Sequence, residues 1–291
     1  MALSGQVRFD LGVRLFRAIA VDERQESSGN RTYTRKHTGF TPSASLSWQA
    51  GEQTFAYLRY AAAYRPSGLS PFVSADVGAF SPDELSAAEL GLRWHSRDRR
   101  WRVSATGYFN TWSHIQSDYF LAIGLVATRN SGLGHIYGLE ASLDWESGTG
   151  WHLAGGIDYQ HARLERAAPG LLLTEDHALP IVPAYKAHLA LHRDFALGPF
   201  TARGGARLVA IGPSHLSLDP ALDRRTGARR EVELSVSLTS GGWSLGLDVA
   251  NALDSRADTF SFGNPFSASS QTQCTPMRPR TLRLTVARMW R

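Results

Sequence analysis

Residues 230–254 read REVELSVSLTSGGWSLGLDVANALD, and they alternate polar and apolar on both sides of Gly241 and Gly242. Val232, Leu234, Val236 and Leu238, then Trp243, Leu245, Leu247 and Val249, fall in one phase, while Glu231, Glu233, Ser235, Ser237 and Asp248 fill the other. A period of two is the signature of β-strands with different faces, and a Gly-Gly pair between two such runs predicts a hairpin. What the apolar face touches, a second sheet or lipid, decides the fold.

The hairpin turn has counterparts upstream at 50–52, 96–99, 147–150 and 196–199, spaced by about 45 to 50 residues, a structural period without close sequence identity. Between them lie longer polar segments rich in glycine and proline, at 22–36, 65–82, 116–127, 166–182, 214–228 and 255–276. Placing strands between these connections gives about 12, each of roughly 10 to 15 residues. They are expected near 3–19, 37–49, 53–64, 84–95, 100–115, 128–145, 151–165, 184–195, 200–213, 229–239, 243–254 and 278–290. Strands of ordinary soluble proteins run about 5 to 6 residues. Longer strands of even number, with short turns at one end and long loops at the other, are the pattern of a transmembrane barrel.

The tryptophans favour the same reading. Trp48, Trp94, Trp101, Trp145, Trp151, Trp243 and Trp290 lie close to a short turn or to the carboxyl end, each in the apolar phase of its strand; Trp112 alone lies elsewhere. A sandwich core would concentrate large aromatics at strand centres, whereas a membrane barrel sets them in a girdle at the water boundary. The sequence therefore predicts an all-β, antiparallel transmembrane β-barrel whose apolar face meets hydrocarbon and whose polar face lines a wet lumen.

Composition narrows the function. With 43% hydrophobic and 20% charged residues in 291, the chain is long enough for a large ordered domain, and disorder is not expected. No run of about 18 apolar residues supplies a transmembrane helix, a test that a β-barrel escapes. The amino terminus has no apolar signal core, because Arg8, Asp10, Arg14 and Arg17 interrupt it, so an export signal is expected elsewhere. Cys274 is the only cysteine, leaving neither an internal disulfide nor a Cys-based zinc cluster. The net charge of +5 comes from scattered arginines, with lysine only at Lys36 and Lys186, and a nucleic-acid partner is not expected without a basic stripe.

The stretches YLRYAAAYRPSGL (57–69), FSPDELSAAELGLRW (80–94), YFNTWSHIQ (108–116), TRNSGLGHIYGLE (128–140), LPIVPAYKAHLAL (179–191), LDVANALD (247–254), FGNPF (262–266) and RPRTLRLTV (278–286) resemble, in order and spacing, the C-terminal barrel of TonB-dependent outer-membrane receptors. The resemblance implies a barrel of about 22 strands plugged by an N-terminal globular domain. With about 12 strands and no recognisable plug or TonB-contacting segment, residues 1–291 are expected to form the C-terminal half of such a barrel. An unpaired strand near residues 3–19 then needs a neighbour, since unpaired backbone in hydrocarbon is costly.

The resemblance further implies TonB-energised uptake of a scarce ligand, above all an iron-siderophore complex, in the cell outer membrane of a Gram-negative organism. The expected partners are that ligand, the TonB complex acting through the plug, the lipid bilayer and lipopolysaccharide; no cofactor is expected. Loop residues able to grip an anionic, aromatic chelate by charge and stacking are Arg31, Tyr33, Tyr64, Arg65, Phe72, Phe80, Tyr119, Phe120, Phe260, Phe262 and Phe266. The histidines show no local metal spacing; His188 and His192 share a strand face but stand about 13 Å apart by strand rise. Asp219-Pro-Ala-Leu-Asp223 lacks the alternating ligands of a calcium loop and reads as a polar turn. No Gly-x-Ser-x-Gly elbow is present, and adjacency does not make Ser214 and His215 a nucleophile and base, so an enzyme is not expected. A passive 12-stranded pore is the alternative that needs neither plug nor TonB.

Overall fold

The computed structural model describes residues 6–26, 29–70, 78–121, 125–171, 176–220, 222–259 and 274–290. Its strands are β1 (Gln6–Glu26), β2 (Gly29–Gln49), β3 (Thr54–Arg65), β4 (Gly68–Leu69), β5 (Ala79–Phe80), β6 (Asp83–His95), β7 (Trp101–Ser113), β8 (Gln116–Phe120), β9 (Val126–Asn130), β10 (Gly132–Glu146), β11 (Trp151–Ala167), β12 (Tyr185–Leu197), β13 (Phe200–Ile211), β14 (Ser214–His215), β15 (Arg225–Thr226), β16 (Arg229–Ser240), β17 (Trp243–Ala250) and β18 (Thr281–Arg288). Twelve form one antiparallel sheet in the order β1-β2-β3-β6-β7-β10-β11-β12-β13-β16-β17-β18. The other six pair off as three two-stranded ribbons. Every strand of the large sheet is thus beside its neighbour in the chain, the meander of an up-and-down barrel.

The turns fix the register. In the opening hairpin Ser240 pairs with Trp243, and Gly241 and Gly242 take positive φ of 56° and 81°, the two-residue turn that matches strand twist. Gly51, Arg99, Gly150 and Gly198 supply the left-handed residue in the other four short connections. Arg99 shows that the turn can be made without glycine, which is why 96–99 carries no glycine signal.

The apolar phase of this sheet has nothing packed on it. Leu90 at mid-strand is 65% exposed, and Leu58, Leu139, Leu234, Val236 and Leu247, in the same phase, are 39% to 52% exposed. Total accessible area is 18985 Å², against about 12,000 Å² expected for a compact soluble monomer of this mass. A second sheet would have covered that surface, so the apolar face meets hydrocarbon. The tryptophan girdle is present: Trp101 and Trp145 are cross-strand partners 5.6 Å apart, while Arg193 lies over Trp151 and Arg288 over Trp243 and Trp290. Arginine reaching along an aromatic toward the boundary keeps its charge wet while its stem covers apolar surface.

The polar face is concave. Tyr57 on β3 lies across Gly91 of β6 and its hydroxyl meets the Thr106 hydroxyl of β7 at 3.2 Å. Tyr108 on β7 lies across Gly138 of β10 and reaches Asp158 and Gln160 of β11 at 3.4 and 3.3 Å. Each tyrosine thus ties together strands that are second neighbours, and a groove lined from four successive strands, by His192, Gly205, Ser235 and Asp248, opens on the same face. A Cβ at Gly91 would sit 2.1 Å from the Tyr57 ring, and one at Gly138 2.3 Å from the Tyr159 carbonyl oxygen and 2.6 Å from the Tyr108 hydroxyl, which is why both positions are glycine.

Two expectations are corrected. Residues 22–26 and 29–36, expected as part of a loop, are strand: β1 and β2 pair from Gln6↔Gln49 to Glu26↔Gly29, about 70 Å of ladder. Their polar composition reports that they stand clear of lipid, not that pairing stops, and Asp22 and Arg35 bridge the two strands there. The last strand, expected over 278–290, spans Thr281–Arg288, because the approach to it is held by the preceding connection: Met277 donates to the Ala257 carbonyl, Asn251 to the Arg278 carbonyl and the Arg280 N–H to Asp254.

Candidate ligand-facing site at the long-loop end

The long connections are not loose loops. Ribbon β4/β5 fills the β3–β6 connection, β8/β9 the β7–β10 connection and β14/β15 the β13–β16 connection. The main buried cluster among the described residues lies where these connections meet the wall: Ile115, Leu179 and Leu218 from the connections are buried with Leu164 of β11, and Trp112 and Ile136 pack against them. A barrel wall cannot bury its own apolar face, so the chain's inward-packed hydrophobics gather where wall and loops meet.

Asp83, 3% exposed at the head of β6, organises the first part of this platform. Arg65 donates to both its oxygens, the Trp112 indole N–H donates at 3.1 Å and the Gln116 backbone N–H at 3.4 Å. A buried carboxylate persists only when so satisfied. Gln116 donates its amide to the carbonyls of Pro66 and Ser81 at 2.9 and 3.0 Å, and Asn130 exchanges two bonds with the Ser81 backbone at 2.7 and 3.1 Å. The Ser70 hydroxyl bridges the N–H and carbonyl of Thr128, and Arg24 donates to the Ser70 carbonyl, tying the long β1–β2 hairpin to the same body. The Asn-Ser-Gly run at 130–132 is thereby explained: Asn130 is the clamp, Ser131 is fully buried, and Gly132 at φ 129° presses on the Arg166 carbonyl.

A second cluster joins the next two connections. His215 sets Nδ1 2.7 Å from Asp223 and Nε2 2.9 Å from Asp176. Burial pushes the Asp176 carboxyl up, but the Ala178 N–H and the facing His215 outweigh it and hold the group below its ordinary value. Asp223 also accepts the Leu216 and Ser217 N–H groups at 2.9 and 3.2 Å, the polar turn expected of 219–223. Ser214 bonds Thr226 and not its neighbour His215. At the last connection Asn251, fully buried with φ 47°, donates to the carbonyls of Ser255 and Arg278 and accepts the Ser255 N–H.

The expected ligand residues fall on this platform unevenly. Arg31 and Tyr33 lie high on β2. Tyr64 stacks on Phe16 at 3.6 Å with His37 beside the pair. Arg65 is held by Asp83, Phe80 packs over Gly68, and Tyr119 lies under the Arg129 guanidinium at 4.4 Å. Arg65, Phe80 and the ribbon bearing Tyr119 belong to one bonded assembly, through Gln116 and Asn130. Phe72, Phe260, Phe262 and Phe266 lie outside the described residues, and Phe120 is placed only by its backbone on β8. Asp83, Gln116 and Asn130 were not singled out from the sequence; Trp112, the one tryptophan away from the girdle, was the available pointer to them.

Below the platform the concave wall carries paired charges: Arg207 and Glu233 at 3.4 Å, Arg102 and Glu146 at 3.1 Å, Arg203 and Asp194 at 2.5 Å. Exposed pairs of this kind contribute at most about 1 kcal/mol each. A groove of about 560 Å³ opens among His192, Arg207, Glu233, Asp248 and Arg283.

This chain matches the TonB dependent receptor-like, beta-barrel family over residues 1–252. It belongs to that family. Among solved structures it is similar to the ferric yersiniabactin uptake receptor FyuA of Yersinia pestis, with a TM-score of 0.71 and 18% identity over 97% of this chain and 42% of that one. The ferric preacinetobactin receptor BauA of Acinetobacter baumannii matches with a TM-score of 0.71 and 17% identity over 96% and 40%, and the copper transporter OprC with 0.71 and 18% over 96% and 45%. At these identities the likeness is one of fold, and the chain spans about two fifths of the length of each. No curated protein sequence matches it. TonB-dependent receptors are outer-membrane proteins, receptors and transporters in kind.

Proposed function

We propose that residues 1–291 form the C-terminal barrel portion of a TonB-dependent outer-membrane receptor that imports a scarce ligand, an iron-siderophore complex first of all. The observation that carries this reading is a twelve-stranded meander with a lipid-facing apolar phase, matching the family over 1–252 and spanning about two fifths of complete receptors. Strands β1 and β18 are each paired on one edge only among the described residues. Unpaired backbone in hydrocarbon costs several kcal/mol per group, so both edges call for further strands, which the rest of a longer receptor would supply.

In this reading the barrel performs no bond chemistry. The long-loop platform captures ligand, with Arg31, Tyr33, Tyr64, Arg65, Phe72, Phe80, Tyr119, Phe120, Phe260, Phe262 and Phe266 as the residues that offer charge and stacking. The paired charges of the concave wall would seat a plug through which TonB acts. The test is growth under iron limitation on hydroxamate, catecholate or carboxylate ferric siderophores. A strain lacking the protein should lose use of one class, and a strain lacking TonB should lose it equally. Uptake unaffected by loss of the protein overturns the reading, and uptake that needs the protein but not TonB points instead to a passive pore.

A further inference from the structure

Near the short-turn end, the concave face holds a cluster that ligand capture does not use. His152 on β11 and His192 on β12 are register partners, their rings stacked 4.5 Å apart and 11° from parallel. Asp194, two residues further along the same face of β12, places Oδ2 3.6 Å from Nε2 of His152. One donor atom from each of the three lies within 4.8 Å of the others. Tetrahedral coordination with bonds of about 2.0–2.1 Å sets donors about 3.4 Å apart, a contraction that ring and carboxylate rotations supply without moving the backbone.

The surroundings suit an ion. Arg203 donates to Asp194 through Nε at 2.5 Å and Nη2 at 2.8 Å, fixing the carboxylate plane while leaving oxygen lone pairs toward the imidazoles. Such an outer partner orients a metal-binding carboxylate. Across from His192 stands Gly205, where a Cβ would already be 3.0 Å from the His192 Cβ, so no side chain covers that flank. The 560 Å³ groove includes His192 and Gly205 and brings water to the cluster. Two imidazoles and one carboxylate suit borderline first-row ions and disfavour calcium or magnesium, which prefer all-oxygen shells.

We propose that His152, His192 and Asp194 bind a first-row divalent transition-metal ion of the zinc class, with Arg203 as the positioning residue and a remaining coordination place open to groove water. The ion staples β11 to β12 close to the short-turn rim of the lumen. Sequence spacing conceals this site because its two histidines are forty positions apart and meet only through strand register.

The experiment uses the complete protein that carries this chain, purified in detergent with Cys274→Ser to remove the one thiol of residues 1–291, stripped with EDTA and titrated calorimetrically with zinc chloride. A single saturable site is expected, abolished in the His152→Ala/His192→Ala double variant, weakened about 10- to 100-fold by Arg203→Ala, and unchanged by His188→Ala. Zinc should raise the unfolding temperature of the parent and not of the double variant. Should the double variant fail to fold, His192→Gln alone serves, with the same loss expected. Equal zinc binding by parent and histidine variants, or no saturable binding by the parent, overturns the proposal.

Discussion

Gly138 is flanked by Ile136-Tyr137 and Leu139-Glu140, and nothing in that run says which side chain will lie over it. The register does: Tyr108 is its partner on β7, and the tyrosine uses the missing Cβ to reach β11. Filling that space forces the ring off its hydrogen bonds, and overpacking of this kind costs about 1–3 kcal/mol. Gly138→Val should therefore lower the denaturant midpoint of the folded protein, and Gly107→Val, with open space above it, should not. At the same scale Asp176 makes a pH prediction. Its folded-state pKa lies below the unfolded value, so its contribution is present above the unfolded pKa and is lost as pH falls below about 4. Proteolysis of the 167–184 connection should rise in that window, and Asp176→Asn should flatten the rise. A short polar residue at Asn251 bonds the local backbone at Ser255, as such side chains do where a strand ends, whereas Asp254 accepts from the Arg280 N–H across the connection. That local role of Asn251 could be read from the sequence. The roles of Asp83 and His215 could not, because Arg65, Trp112 and Gln116 reach Asp83 from other segments and Asp176 reaches His215 from the neighbouring connection.

Strand phase was the most legible feature, since each β-strand writes its two faces into alternate residues. The sequence placed Val236 on the lipid side and Ser235 on the lumen side, and the exposure of the one and the polar neighbours of the other follow. Arginine at the bilayer midplane of a barrel wall costs about 2–4 kcal/mol, whereas the lumen face tolerates it. Val236→Arg should thus lower stability by that amount in urea titration and Ser235→Arg by much less. Element ends were less legible. The stretch 22–36 lost its apolar phase and so read as a loop, yet backbone pairing needs no lipid and ran on to Glu26 and Gly29. The ribbons β4/β5, β8/β9 and β14/β15 are too short to show a period at all.

At the scale of the whole molecule the wall has two distinct surfaces and almost no conventional core, so its stability rests on ladder hydrogen bonds, on lipid and on the loop platform. The order of motifs was enough to suggest the family, because spacing along an up-and-down sheet is also order in space. The histidine cluster near the short-turn rim was hidden for the converse reason. The claim on which everything depends is that the phase of Leu234, Val236 and Leu238 meets hydrocarbon while Ser235 and Ser237 line water. Single cysteines at these five positions, in the complete protein with Cys274→Ser, can be spin-labelled in outer membranes and probed with oxygen and with a water-soluble nickel complex. Strong oxygen collisions are expected at 234, 236 and 238 and strong nickel collisions at 235 and 237. A reversed phase, or no period of two, would contradict it.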